Sequence, residues 1–137
     1  MPADAQTVIV VASETPYAEM HGDDADLALS ERDLGAFAAA KRSGKKVVLV
    51  LFSGRPLLLT PVLSADAIVA AWLPGSEGDG LADVLTGRVP FRARLPHSWP
   101  RSLDQVPINV GDADYHPLFP YGYGLGLNQD GSVRVLE

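Results

Sequence analysis

Four carboxylates fall within eleven residues of the stretch SETPYAEMHGDD (13–24): Glu14, Glu19, Asp23 and Asp24. Carboxylates so grouped can act as general acids or bases once burial or a neighbouring charge sets their pKa. They could also hold a hard cation, but Asp23, Asp24 and Asp26 lack the ligand alternation and closing glutamate of a calcium loop. A solvated acidic loop, or a cap on a following helix, is expected there instead. His21, His97 and His116 show no short ligand spacing, so no metal site is expected. Pro16 and Gly22 break any helix across the stretch. It reads as a loop leaving the end of the apolar run TVIVVA.

Other chemistries find no support. The absence of cysteine excludes thiol catalysis, disulfides and thiolate metal sites. Ser53-Gly54-Arg55-Pro56 has neither the G-x-S-x-G of a nucleophile elbow nor the lysine of a phosphate loop. YGYGLG, with Gly122, Gly124 and Gly126, does not follow a strand and open a helix, so it is no dinucleotide fingerprint. No cofactor is expected. The net charge is −6, and the 11 Lys and Arg form no basic block, which argues against nucleic-acid binding. No apolar run approaches the roughly 20 residues of a membrane span. Met1-Pro2-Ala3-Asp4 has neither the basic start nor the apolar core of a secretory signal.

The elements that must position the acidic loop follow from pattern. TVIVVAS (7–13) and KKVVLVLFSG (45–54) read as strands buried on both faces, and DAIVAAWLPG (66–75) as a third. LSERDLGAFAAAKRSG (29–44) reads as a helix capped by Ser30 with Asp33 in the capping-box position, ended by Gly44, with Leu34, Phe37 and Ala38 facing inward. RPLLLTPVLSA (55–65) reads as a short helix interrupted by Pro61, with Gly54 making a tight turn and Pro56 at the first helical position. SEGDGLADVLTG (76–87) reads as a helix with Glu77 near its positive end. Trp72 and Trp99 lie in apolar stretches and read as core.

The order β-α-β-α-β-α over 7–87 implies an α/β fold: a three-layer sandwich around a mainly parallel sheet of about four or five strands. Residues 88–137 change texture to an extended, aromatic and glycine-rich C-terminal tail, with a turn at Asp130-Gly131. The 137 residues read as a single domain. Its apolar outer strands lack the charges that usually protect an edge, so another chain or a second copy is expected to cover part of the sheet. In such sheets ligands gather at the carboxyl ends of the strands, so the loops SETPYAEMHGDD, FSGRPL and WLPGSEGDG should share one rim. Arg55 is suited to tie these loops together.

Four motifs, SETPYAEMHGD, VVLVLFSGRPL, SADAIVAAWLPGSEGDGLADVLTG and RLPHSWPRSLDQVPINVGDADYHPLFPYGYGL, occur in order over roughly residues 7 to 127. In this they resemble the C-terminal α/β domain of glycoside hydrolase family 3, in particular its β-glucosidases and exo-β-glucan glucohydrolases. The resemblance implies a two-domain retaining enzyme, in which an N-terminal (β/α)8 barrel carries the aspartate nucleophile and this domain supplies the acid/base. It carries the acid/base over to Glu19, within Pro16-Tyr17-Ala18-Glu19. Tyr17, His21, Glu14 and Asp23 become candidate substrate-binding neighbours, with Glu14 and Asp23 orienting the site or setting its pKa. Glu14 equally suits a structural hydrogen-bond acceptor, and His21 an exposed loop position.

The implied substrate is a β-glucoside or β-glucan oligosaccharide, and the implied setting is periplasmic or secreted. Retaining hydrolysis needs two carboxyl groups about 5–5.5 Å apart, and the matched motifs include no nucleophile. The implied partner is therefore the barrel domain, or a second copy at the sheet edge, and these residues alone are expected to show no turnover. The competing expectation is a non-catalytic sugar-binding or protein-interaction module that keeps the fold.

Overall fold

The β-branched runs TVIVVAS, KVVLVLF and AIVA form strands β1 (Thr7–Ser13), β2 (Lys46–Phe52) and β3 (Ala67–Ala70), as expected. The computed structural model describes residues 4–136; Glu137 and residues 1–3, which were read above for a leader pattern, lie outside the described residues. The strands make one parallel sheet in the order β1-β2-β3, with Ile9 opposite Val48 and Leu49 opposite Ile68. The chain divides into two compact units, one ending at Pro74 and the other beginning at Gly75.

In the first unit, helix α1 (Glu31–Arg42) packs against β1 and β2. Val10 and Ala12 of β1 share a sheet face with Val47, Leu49 and Leu51 of β2, and all five are buried. Removing each of these valine and leucine side chains from water contributes roughly 1.5–3 kcal/mol. Ser30 caps α1 by accepting a 3.1 Å hydrogen bond from the Asp33 amide, an arrangement typically worth about 1 kcal/mol. Asp33 in turn accepts from the Ser13 amide at 3.3 Å, which ties the start of the helix to the end of β1.

Three expectations are corrected. β1 is covered on one face only: Ile9 and Val11 are about half exposed, at 53% and 50%. On α1 the buried residues are Phe37 and Ala40, while Ala38 is exposed. Ala38 lies about 100° around the helix from Phe37, off the inward stripe. Residues 55–65 form no α-helix, only a 3-10 turn at Thr60–Val62. Pro56 and Pro61 lack amide donors and disfavour helical backbone at the residues before them. The Leu58 amide bonds instead to the Leu27 carbonyl at 2.8 Å, while Leu57, Leu59 and Val62 are buried.

The second unit contains α2 (Gly78–Leu85), a 3-10 turn at Leu103–Gln105, and an antiparallel ribbon of β4 (Leu125–Leu127) and β5 (Val133–Val135). The ribbon closes through Asn128 and Ser132, with Gly131 at φ 81° in the turn. It is separate from the parallel sheet, so the described residues give three parallel strands rather than the expected four or five. Trp99 is buried as expected, and exchanges backbone hydrogen bonds with Leu118 and Phe119. Nearby, Phe119 stacks on Tyr123 at 4.9 Å, and the hydroxyls of Ser98 and Tyr115 lie 2.8 Å apart.

Candidate functional site

The acidic loop leaves the carboxyl end of β1, and residues 53–59 leave that of β2. Their meeting point is Glu14. Its amide donates to the Phe52 carbonyl at 3.0 Å, which places the side chain at the mouth of the second loop. Oε1 of Glu14 accepts from Arg55 Nε at 2.8 Å, and Oε2 accepts from the Gly54 amide at 3.1 Å and the Tyr17 hydroxyl at 3.3 Å. Three of the roughly four acceptor positions of a carboxylate are thus engaged within the protein. The Arg55 guanidinium sits 4.7 Å from the centre of the Tyr17 ring and donates from Nη1 to the Gly22 carbonyl at 2.6 Å. The hydrogen bond to Glu14 holds the Arg55 guanidinium above its already high pKa. Withdrawal from water, then the adjacent Glu14 charge, raises the Tyr17 phenol above its usual value, so it stays a donor.

Two glycines make room for this arrangement. A methyl group on Gly22 would strike the Tyr17 ring, and one on Gly54 would lie 2.7 Å from the Tyr17 hydroxyl and 3.8 Å from Leu73. Gly54 is therefore small because of the tyrosine, not because it opens a helix. Leu73, on the loop after β3, brings that loop to the same rim.

Between Tyr17 and Gly22 the chain forms a 3-10 turn, Glu19–Gly22, closed by bonds from His21 to Ala18 and from Asp23 to Met20. Glu19 opens it with φ 47° and an exposed side chain. Left-handed backbone at a non-glycine residue costs on the order of 1–3 kcal/mol and survives only where its surroundings over-determine it. Trp72 is the other such residue among those described, with φ 53°. It is half-buried on the loop after β3 rather than fully in the core. Both left-handed positions thus lie on rim loops.

His21 and Asp23 are exposed beside Glu19. The carboxylates of Asp24 and Asp26 accept from the amides of Asp26 and Ala28, each at 2.9 Å, and so order the descent into α1. No cluster of metal-ligating side chains occurs among the described residues. The rim thus offers an exposed carboxylate, Glu19, on a braced turn, able to give or take a proton from a ligand approaching that edge.

Residues 1–127 match the model of the glycosyl hydrolase family 3 C-terminal domain. The chain belongs to that family. An exo-1,3/1,4-β-glucanase from Pseudoalteromonas superposes on all of the chain with a TM-score of 0.86 at 43% identity, over 24% of its own length. A β-glucosidase from Listeria innocua aligns with 90% of the chain at 26% identity and a TM-score of 0.79, over 21% of its length. Among curated relatives, a periplasmic β-glucosidase of Salmonella typhimurium is 40% identical over 119 residues. A lysosomal β-glucosidase of Dictyostelium discoideum is 36% identical over 133 residues. The chain spans 15% and 16% of the length of these two relatives.

For this family 3 domain, sequence pattern alone marked the loop and its carboxylates. It missed the Arg55–Gly22 contact and the reason for Gly22. The available signal was Tyr17: an aromatic on a loop needs a slot, and Gly22 and Gly54 are the small residues that can make one. No helix among the described residues is long and apolar enough to cross a membrane.

Proposed function

We propose that this chain is the acid/base-bearing part of a retaining β-glucosidase or exo-β-glucan hydrolase, with Glu19 as proton donor and acceptor. The observation that carries the reading is Glu19 itself. It is an exposed carboxylate, held with left-handed backbone on a braced turn, at the strand ends where α/β sheets receive ligands. The names of the relatives supply the substrate class.

Glu19 protonates the departing glycosidic oxygen in the first step and then takes a proton from the attacking water in the second. The nucleophile is an aspartate of a (β/α)8 barrel partner, which also supplies most sugar contacts. His21 and Asp23, beside Glu19 in sequence and exposed, face the sugar. Glu14 and Tyr17 act on the site through the loop they hold. The 137 residues alone do not turn over.

The test uses the barrel-bearing enzyme: the chain within a longer polypeptide, or grafted in place of the matching segment of the Pseudoalteromonas glucanase. Glu19→Gln is expected to lower kcat/KM on alkyl or phenyl β-glucosides about a hundredfold or more, and on a dinitrophenyl glucoside, which needs no protonation to depart, far less. Equal and small losses on both substrates would remove Glu19 from the role.

A further inference from the structure

We infer that Arg55 is a positioning residue for Glu19, a role that rests on the acid/base reading above. Its contacts bracket Glu19 in the chain. Before Glu19, the guanidinium binds the Glu14 carboxylate at 2.8 Å and lies over the Tyr17 ring at 4.7 Å. After it, Nη1 binds the Gly22 carbonyl at 2.6 Å. One side chain therefore fixes the chain five and two residues before Glu19 and three residues after it. The side chain is itself anchored, because Arg55 lies three residues after the end of β2 and is only 23% exposed. The left-handed Glu19 backbone needs such bracing, since a free loop would relax to a commoner conformation.

Only arginine can do this. Nε and Nη1 are separate donors in one rigid plane, reaching acceptors that precede and follow Glu19 in the chain, while the flat face covers the tyrosine. A lysine ammonium could keep the charge beside Glu14 but not reach Gly22 and cover Tyr17 together. A displacement of about 1 Å in a reacting group can cost on the order of a hundredfold in rate. Releasing one side of the bracket is enough to produce it.

The experiment compares Arg55→Lys with Glu19→Gln in the barrel-bearing enzyme, on phenyl and dinitrophenyl β-glucosides. Arg55→Lys is expected to lower kcat/KM on the phenyl glucoside at least tenfold and to change it less than about threefold on the dinitrophenyl glucoside. A purely structural loss of active protein would depress both substrates by the same factor, and that result would overturn the inference. Glu14→Gln, which keeps shape and removes charge, serves as the second variant if Arg55→Lys does not fold, and is expected to show the same selectivity. If Glu19→Gln is selective and neither other variant is, the inference about Arg55 fails alone. If Glu19→Gln is itself unselective, the acid/base reading fails first and the inference falls with it.

Discussion

The ring of Tyr17 occupies the space that a side chain at Gly22 would need. The two residues bracket Glu19, so the fit of one against the other sets the width of the turn. Gly22 is buried and its backbone is not left-handed, so alanine would be accepted there but for the ring. Gly22→Ala is expected to push Tyr17 off Arg55 and destabilise the chain by about 1–3 kcal/mol, as overpacking does. In a Tyr17→Ala background the same substitution should cost no more than about 0.5 kcal/mol, because the clash is gone. Urea unfolding of the four variants measures the coupling. Equal costs in both backgrounds would mean that the ring does not fill this slot.

Asp66 gives the first unit a defined acid sensitivity. Its amide donates to the Val47 carbonyl at 2.9 Å, and its carboxylate accepts from the Val47 amide at 2.8 Å. That amide hydrogen bond, aided by Lys41 nearby, lowers the Asp66 pKa. A depressed folded-state pKa contributes stability that is full above the ordinary aspartate value and is lost as pH falls through the folded value. Asp66→Asn should therefore be less stable than the parent at neutral pH, and the gap should narrow as pH falls below the ordinary carboxylate range. Thermal melts across that range test it. A gap that stays constant with pH would show that the charge contributes nothing.

What could be read from the sequence was whatever is encoded locally. The strands announced themselves by β-branched runs, and α1 by the Ser30-x-x-Asp33 spacing whose hydrogen bond the structure contains. Long-range causes left no local mark. The leucines of residues 57–59 suit a helix, but Leu58 pairs with Leu27 and the two prolines remove donors. An apolar run cannot say whether both its faces are covered, which is why the exposure of Ile9 and Val11 was not foreseen. Glu19 was legible by type and loop, and Arg55 as a tie between loops, whereas the left-handed backbone of Glu19 and the acceptors that Arg55 binds, more than 30 positions away in the sequence, were not.

The half-exposed Ile9 and Val11 sit on an outer strand that, among the described residues, pairs only with β2. An apolar strand with an open edge and an open face invites a further strand or a second copy. The purified chain is expected to self-associate as its concentration rises, and Val11→Lys, which puts a charge on that face, should return it to monomer. Sedimentation equilibrium reads both. A parent chain that stays monomeric at high concentration would contradict the expectation.

The role proposed for Glu19 makes a separate chemical prediction, independent of leaving groups. In a retaining mechanism the second step needs a base to take the proton of water. With Glu19→Ala in the barrel-bearing enzyme, a dinitrophenyl β-glucoside should still form the glycosyl-enzyme, because its leaving group departs unprotonated. Hydrolysis of that intermediate should then limit turnover. Azide is an anion that attacks without losing a proton, so it needs no base. Added azide should raise turnover at least tenfold and yield the β-glucosyl azide, with configuration retained through two displacements. The parent enzyme should show no such acceleration. Recovery of only glucose, at an unchanged rate, would mean that Glu19 does not serve as the base.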